Sequence, residues 1–145
     1  MKSDKYCVLY GRGYMCMGEM IYSEKRINPP EVIFSEAYFG YTFYILSMGT
    51  HPCAYIQIPK NDKLFGMDYD DIENKYELNV HGGLTYTNSK LKSVESEGWF
   101  IGWDYAHWGD YIGYADYSFE DKKWDVRDIR NECENVIEQI VKINM

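Results

Sequence analysis

The sequence predicts a single α+β domain, in which an antiparallel β-sheet carries a long C-terminal α-helix on one face. Three observations predict this fold: an amphipathic C-terminal segment, several strand-like runs before it, and a length of 145 residues, which is typical of one domain. We divide the chain into N-terminal strands and loops (1–50), a motif-bearing sheet (51–110) and the C-terminal helix (125–142).

The C-terminal helix has both a start signal and a buried face. Asp125 suits the N-cap position, and Asp128 lies in the first turn, where the helix dipole favours a negative charge. We expect Trp124 to fix the start of this helix. The apolar residues that recur at steps of three or four are Val126, Ile129, Cys133, Val136, Ile137 and Ile140.

The strands are predicted from runs of aromatic and β-branched residues. Residues 41–48 and 53–58 flank a turn at 49–52, and this arrangement predicts a β-hairpin. Two further strands are predicted at 78–87 and 98–106, with a polar hairpin loop between them.

The other segments are predicted to be less regular. Apolar runs at 4–10 and 19–22 precede Pro29 and Pro30, which force an extended approach to residues 32–34. Residues 60–76 are predicted to form an acidic loop with one helical turn at 69–73. This loop lacks the central glycine and terminal glutamate of a calcium-binding EF-hand. A second polar loop is predicted at 109–123.

Composition narrows the classes of partner. The net charge of −8 opposes direct binding to DNA or RNA, because Lys and Arg must replace the counterions of the phosphates. A basic protein surface and a small anion held by backbone N–H groups remain possible partners. No apolar run approaches the roughly 20 residues that cross a bilayer, and the first residues lack the apolar core of a signal peptide. We therefore expect a cytoplasmic protein that does not enter membranes.

The four cysteines are predicted to be free thiols. None of them has the CxxC spacing of a zinc site, and a cytoplasmic chain rarely holds disulfides. Cys53 could act as a nucleophile beside a histidine, but its place in an apolar strand favours a buried thiol. The four residues are Cys7, Cys16, Cys53 and Cys133.

Two segments combine histidine, glycine, aspartate and aromatic residues, and they mark the candidate site. The first signature segment is VHGGLTY (80–86), and the second is GWFIGWDYAHWGD (98–110). In the first, Gly82 and Gly83 can adopt positive φ or approach a ligand closely, and their N–H groups could form an anion nest. His81 beside them could donate to that anion or act as a base.

In the second signature segment, Asp104 and Asp110 each lie three residues from His107. A carboxylate at that spacing can hold one imidazole nitrogen and fix its tautomer. Three interpretations remain open. His81, His107 and Asp104 could bind a metal, and the same residues with Asp110 could perform acid–base catalysis. Alternatively, Asp104 and His107 could tie the turn together and Asp110 could cap it, with no chemical role.

We favour ligand binding, with no catalytic residue, metal or cofactor assigned. Tyrosine and tryptophan rings in both segments could supply stacking or contact area. His51 is predicted to be exposed in its own turn, and it could also belong to the site. The predicted ligand-binding residues are His81, Gly82, Gly83, Tyr86, Trp103, Asp104, Tyr105, His107, Trp108 and Asp110.

At these residues the chain resembles a family of small, mostly uncharacterised phage and prophage proteins with a VHGGLTY … G(F/W)DxAHxGD motif pair. The resemblance covers roughly residues 50–140 and includes the strand at 53–56 and the Glu132-Cys133 step of the helix. It implies a phage setting and action in the host cytosol, but no mechanism.

Small acidic phage proteins without an enzyme motif are typically inhibitors of host antiviral defence, such as anti-CRISPR or other anti-defence factors. In this interpretation the protein binds a host effector protein or sequesters a nucleotide signal. The alternative is a small metal-dependent or His/Asp hydrolase that acts on a nucleotide-like substrate. A homo-oligomer is also left open.

Overall fold

A computed structural model of the protein describes residues 21–113 and 121–145. Within them the chain forms one five-stranded sheet with the order β1-β2-β3-β5-β4, in which every neighbouring pair is antiparallel. The strands are β1 (Glu31–Tyr38), β2 (Tyr41–Ser47), β3 (Pro52–Ile58), β4 (Tyr86–Asn88) and β5 (Trp99–Asp104), and the helices are α1 (Tyr69–Tyr76) and α2 (Val126–Ile143). The predicted α+β fold is confirmed.

The C-terminal helix follows the prediction closely. Asp125 is the N-cap, and it forms a capping box with Asp128, whose backbone N–H donates to Asp125 Oδ1 over 2.9 Å. All six predicted apolar residues are buried, and α2 packs across β1, β2 and β3. Arg130 holds the helix over β1 through two hydrogen bonds to the Glu36 carboxylate, of 2.9 and 3.0 Å.

The hairpin of β2 and β3 is also confirmed, with pairs running from Thr42↔Gln57 to Ser47↔Pro52. Its turn contains Gly49, which has a φ of 93°. A Cβ at this position would collide with the backbone of Lys25 and Ile27, so the turn is packed against the preceding segment.

The strand β1 extends well beyond the short extended segment that the sequence indicates. It is joined to β2 by Phe39 and Gly40, which have φ values of 51° and 83°. Positive φ at both central residues of a two-residue turn is the geometry of a tight hairpin. The Phe-Gly step lacks the Asn-Gly or Asp-Gly pattern that is typical of such a turn, so the residue pattern does not predict it.

The predicted strand at 78–87 is wrong over most of its length. Only Tyr86–Asn88 forms a strand, and the preceding residues form an irregular segment with a turn at 80–83. Gly82 and Gly83 have φ values of 69° and 82°, which are incompatible with an extended strand. His81 therefore lies in a turn and not on a strand beside β5.

The helix α1 is longer than the single turn predicted at 69–73. Asp68 is its N-cap and accepts a hydrogen bond of 3.3 Å from the backbone of Asp70. Glu77 ends the helix with a φ of 52°. The predicted apolar run at 4–10, the first two residues of the run at 19–22 and residues 114–120 of the predicted loop at 109–123 lie outside the described residues.

The sheet has a core on each face. The larger core fills the space between the sheet and the two helices, and it includes Phe43, Ile56, Ile101 and Trp103. A smaller cluster around Leu46, Tyr55 and Phe100 lies on the other face, where Leu91 and Val94 of the β4–β5 loop cover it. Among the described helices, none has the length and apolar character needed to cross a membrane.

We predict that Ile137→Ala lowers the free energy of unfolding by about 2–5 kcal/mol, because Ile137 is fully buried and the substitution leaves a cavity. The control is Asn131→Ala on the exposed side of the same helix, which should change stability by less than about 0.5 kcal/mol. Urea denaturation measures both. Equal effects would contradict the packing of α2 described above.

Candidate functional site

The first signature segment forms a tight turn. The N–H of Gly83 donates to the carbonyl of Val80 over 2.9 Å, and Gly82 occupies the third position with a φ of 69°. This is the position at which a type II turn requires a left-handed residue. The glycine pair is thus explained by backbone geometry before any ligand is considered.

Two carboxylates of the protein bind the N–H groups on either side of the glycine pair. The His81 N–H donates to Glu132 Oε2 of α2 over 3.0 Å, and the Leu84 N–H donates to Glu73 Oε2 of α1 over 2.8 Å. The Gly83 N–H is used within the turn. The protein's own anions therefore occupy much of the donor surface that the sequence suggests for a bound anion.

The second signature segment forms a similar turn at 107–110. The Asp110 N–H donates to the His107 carbonyl over 2.9 Å, and Gly109 takes the third position with a φ of 91°. Trp108 occupies the second position, and its side chain is fully exposed to solvent. The turn therefore presents a large aromatic side chain at its tip.

Asp110 joins the two turns and the start of α2. Its side chain is only 4% exposed, and Oδ2 accepts hydrogen bonds from His81 Nε2 and the His107 N–H, both over 2.9 Å. Its Oδ1 accepts a hydrogen bond from Trp124 Nε1 over 2.9 Å. A buried carboxylate is stable only with such donors, so Asp110 fixes three segments that are distant in sequence.

The His81 ring is packed among aromatic side chains. It stacks on Tyr105 with the ring centroids 4.6 Å apart and an angle of 14° between the planes. The rings of Trp124 and His107 approach it at 4.8 and 5.7 Å. Tyr105 is itself fully buried and accepts a hydrogen bond of 2.9 Å from Trp103 Nε1. The partly exposed His81 ring therefore covers the buried ring of Tyr105 at the edge of the larger core.

Gly82 and His107 interlock the two signature segments. A Cβ at Gly82 would collide with the imidazole ring of His107, so the glycine provides space as well as positive φ. His107 Nε2 is buried without a hydrogen-bond partner among the described residues. This nitrogen lies 3.2 Å from Asp104 Oδ1 but is not aligned for a hydrogen bond with it. Asp104 Oδ1 instead accepts a hydrogen bond of 3.1 Å from the Ala106 N–H.

The predicted ligand-binding residues do not all lie together. Trp103 and Tyr105 are core residues, with 1% and 0% of their surface exposed. Tyr86 packs with Tyr55 in the cluster on the other face of the sheet. The structure does bring together His81, Gly82, Gly83, Asp104, His107 and Asp110, with Trp108 exposed on the same turn as His107 and with the buried Tyr105 ring stacked beneath His81.

The structure adds three residues to the candidate site that the sequence analysis does not place there: Trp124, Glu73 and Glu132. The sequence predicts only that Trp124 fixes the helix start, although a half-buried indole N–H needs an acceptor. Nothing in the sequence indicates that Glu73 and Glu132 bind the backbone of the first signature segment, because those contacts depend on how α1 and α2 pack.

His51 is half-buried, so the prediction that it is exposed is wrong. Its Nδ1 lies 2.9 Å from Thr50 Oγ1, in the turn that also contacts the segment after Asp110. Burial lowers the pKa of His51, and the negative charge of Asp104 opposes this shift. His51 is therefore influenced by the charges of the candidate site.

The described cysteines are inert thiols, as predicted. Cys53 is 3% exposed, and burial raises its pKa to about 12. Cys133 is fully buried, and burial also raises its pKa. Since the thiolate is the reactive form, neither residue suits a nucleophile at neutral pH. Cys7 and Cys16 lie outside the described residues.

The geometry limits the chemistry available to the site. Over residues 21–113 and 121–145, no group of three or more His, Cys, Asp or Glu side chains could hold a metal ion. His81 and Asp110 form a hydrogen-bonded pair of the kind that serves general-base catalysis. However, the same Asp110 carboxylate also holds Trp124 and the His107 backbone, which is the arrangement of a structural network.

Comparison with protein-family models, with curated proteins and with solved structures finds no match to this chain. The phage-protein family suggested by the motif pair therefore stays a prediction.

We predict that Gly82→Ala destabilises the protein more than Gly83→Ala does. Both replacements place a side chain at positive φ, which costs about 1–2 kcal/mol. Only Gly82→Ala also meets the His107 ring, whereas the nearest atom to a Cβ at Gly83 is Glu73 Oε2 at 3.6 Å. We expect an additional loss of about 1–3 kcal/mol at Gly82, measured by urea denaturation.

A double-mutant cycle isolates the cause. In a His107→Ala background the additional cost of Gly82→Ala should disappear, because the ring that it meets is gone. An unchanged cost in that background would show that the two signature segments do not interlock.

Proposed function

We propose that this protein is a non-catalytic binding protein that docks on a basic partner protein through the turn that carries Trp108. The observation that carries the proposal is a fully exposed tryptophan on a turn whose first residue, His107, is held by the Asp110 carboxylate. Tryptophan is among the residues that contribute most to protein interfaces when a partner covers it.

The turn is well suited to present a side chain. Two hydrogen bonds join the ends of the turn. The Asp110 N–H donates to the His107 carbonyl, and the Asp110 carboxylate accepts a hydrogen bond from the His107 N–H. A side chain held on a rigid turn loses little backbone freedom on binding, so more of its contact energy contributes to affinity. A partner that covers Trp108 would therefore bind it at a small entropic cost.

Acidic residues of α1 lie beside the first signature segment. Glu73 binds the Leu84 N–H, and Asp68 Oδ1 accepts a hydrogen bond of 3.3 Å from Thr87 Oγ1. Asp68, Asp70 and Asp71 are exposed. Together with the net charge of −8, these carboxylates would steer the protein towards a basic surface.

A nucleotide pocket at the signature pair has less support. Among the residues that the structure describes, a cavity of about 560 Å³ includes Gly98 of the second signature segment in its lining, and a cavity of about 360 Å³ includes no residue of either segment. Neither cavity is lined by His81, Asp104, His107 or Asp110. The backbone donors of the first segment bind Glu73 and Glu132. A hydrolase centred on His81 and His107 would also need a cleft for its substrate.

The resemblance to phage proteins supplies the setting of the proposal. The partner would be an effector of host antiviral defence, and its basic nucleic-acid-binding groove would be the surface that an acidic protein competes for. The charge and the exposed tryptophan support a basic protein target, and the host and the effector are inferred from the resemblance alone.

We predict that Trp108→Ala weakens binding to the partner at least tenfold without lowering the free energy of unfolding, because Trp108 makes no buried contact. The partner is isolated by affinity capture from host lysate, and binding of the purified protein is then measured by calorimetry. Replacing the exposed Asp70 and Asp71 with Lys, while keeping the N-cap Asp68, should slow association and weaken its dependence on salt.

The matched control is Phe39→Ala, which removes another exposed aromatic side chain, 65% exposed, from the β1–β2 turn. It should leave binding unchanged. If Trp108→Ala and Phe39→Ala bind the captured partner as well as the wild type does, the proposed docking surface is wrong.

A further inference from the structure

A second candidate binding site lies beside Met48, at the end of the sheet where the turn of the β2–β3 hairpin lies. It is a cavity of about 360 Å³, at the lower end of the range for small-molecule sites. Its lining combines two cations, one amide and three apolar side chains. The lining residues are Arg26, Ile27, Asn28, Pro30, Met48 and Lys92.

The charge of this cavity is opposite to that of the chain. Arg26 and Lys92 both line it, and no carboxylate does. Neither cation forms an ion pair with a residue of 21–113 or 121–145, whereas Lys90, Lys122 and Arg130 each do. In a protein of net charge −8, two cations that line one cavity and have no ion-pair partner within the described ranges favour an anionic ligand.

The walls of the cavity are fixed to one another. Ser93 Oγ donates a hydrogen bond to the Pro30 carbonyl and so ties the loop that carries Lys92 to the segment that carries Arg26. The Ile27 N–H donates to the Met48 carbonyl over 2.9 Å. Gly49 packs directly against the backbone of Lys25 and Ile27, so this segment lies in close contact with the turn of the hairpin.

We propose that this cavity binds a small phosphate-bearing molecule. A phosphate monoester carries a charge of about −1.5 to −2 at neutral pH, which Arg26 and Lys92 together would balance, whereas a carboxylate would need only one of them. The guanidinium of Arg26 suits two oxygens of one phosphate. Ile27 and Met48 would contact the apolar or planar body of the molecule, and the Asn28 amide could bind its polar edge.

This inference is independent of the proposed docking through Trp108, because the two sites share no residue. One site could fail its test while the other passes.

The test is isothermal titration calorimetry at low salt with adenosine monophosphate as the probe, and with adenosine, acetate and inorganic phosphate for comparison. We expect adenosine monophosphate to bind more tightly than inorganic phosphate, and adenosine and acetate to give no measurable heat. Arg26→Gln and Lys92→Gln should each weaken binding of adenosine monophosphate at least tenfold. Both side chains are exposed, so the fold should tolerate these changes.

Lys90→Gln is the matched control, since Lys90 lies two residues from Lys92 in the same loop and is 75% exposed. It should bind adenosine monophosphate as the wild type does. The proposal is overturned if adenosine monophosphate gives no binding at millimolar concentration. It is also overturned if Arg26→Gln and Lys92→Gln bind like Lys90→Gln, or if acetate binds as well as the phosphate compounds.

Discussion

The carboxylate of Asp110 is the constraint on which the rest of the candidate site depends. A charged group that is 4% exposed needs hydrogen-bond donors, and Asp110 obtains them from His81, from the His107 backbone and from Trp124. These donors come from two separate turns and from the start of α2. The two signature segments are therefore linked through one buried anion.

This linkage separates the roles of the residues within the two signature segments. The inward-facing residues, His81, Gly82 and His107, contact one another and Tyr105, so they account for the shape of the two turns. Trp108 faces solvent and has no such structural explanation. A rigid turn that exposes a tryptophan is the observation on which the proposed function rests.

The sequence was most informative where one local rule decides the structure. The buried face of α2 and its Asp125 cap follow from helical periodicity and from capping chemistry, and both are confirmed residue by residue. The strand predicted at 78–87 failed because the apolar residues suggested a strand, while Gly82 and Gly83 adopt positive φ. The β1–β2 turn was missed because Phe39 is an unusual residue at that position.

The candidate site was only partly predictable from the sequence, because several of its contacts join segments that are distant in the chain. The proximity of Asp104 and His107 follows from their spacing, and the structure places their atoms 3.2 Å apart. Other contacts depend on tertiary packing and cannot be read from spacing. Trp124 donates a hydrogen bond to Asp110, and Glu132 and Glu73 accept hydrogen bonds from the backbone of the first signature segment. Tyr86 was assigned to the site from its place in the motif, but the pleat of β4 directs it to the other face.

The most direct test of this account is the free energy of unfolding of Asp110→Ala, measured by urea denaturation beside the exposed-loop control Glu95→Ala. If Asp110 joins the two turns to α2, its loss should cost about 3–5 kcal/mol, because it leaves His81, Trp124 and the His107 N–H without their acceptor. The control should change stability by less than about 0.5 kcal/mol. A loss below about 1 kcal/mol for Asp110→Ala would contradict the central role assigned to this carboxylate.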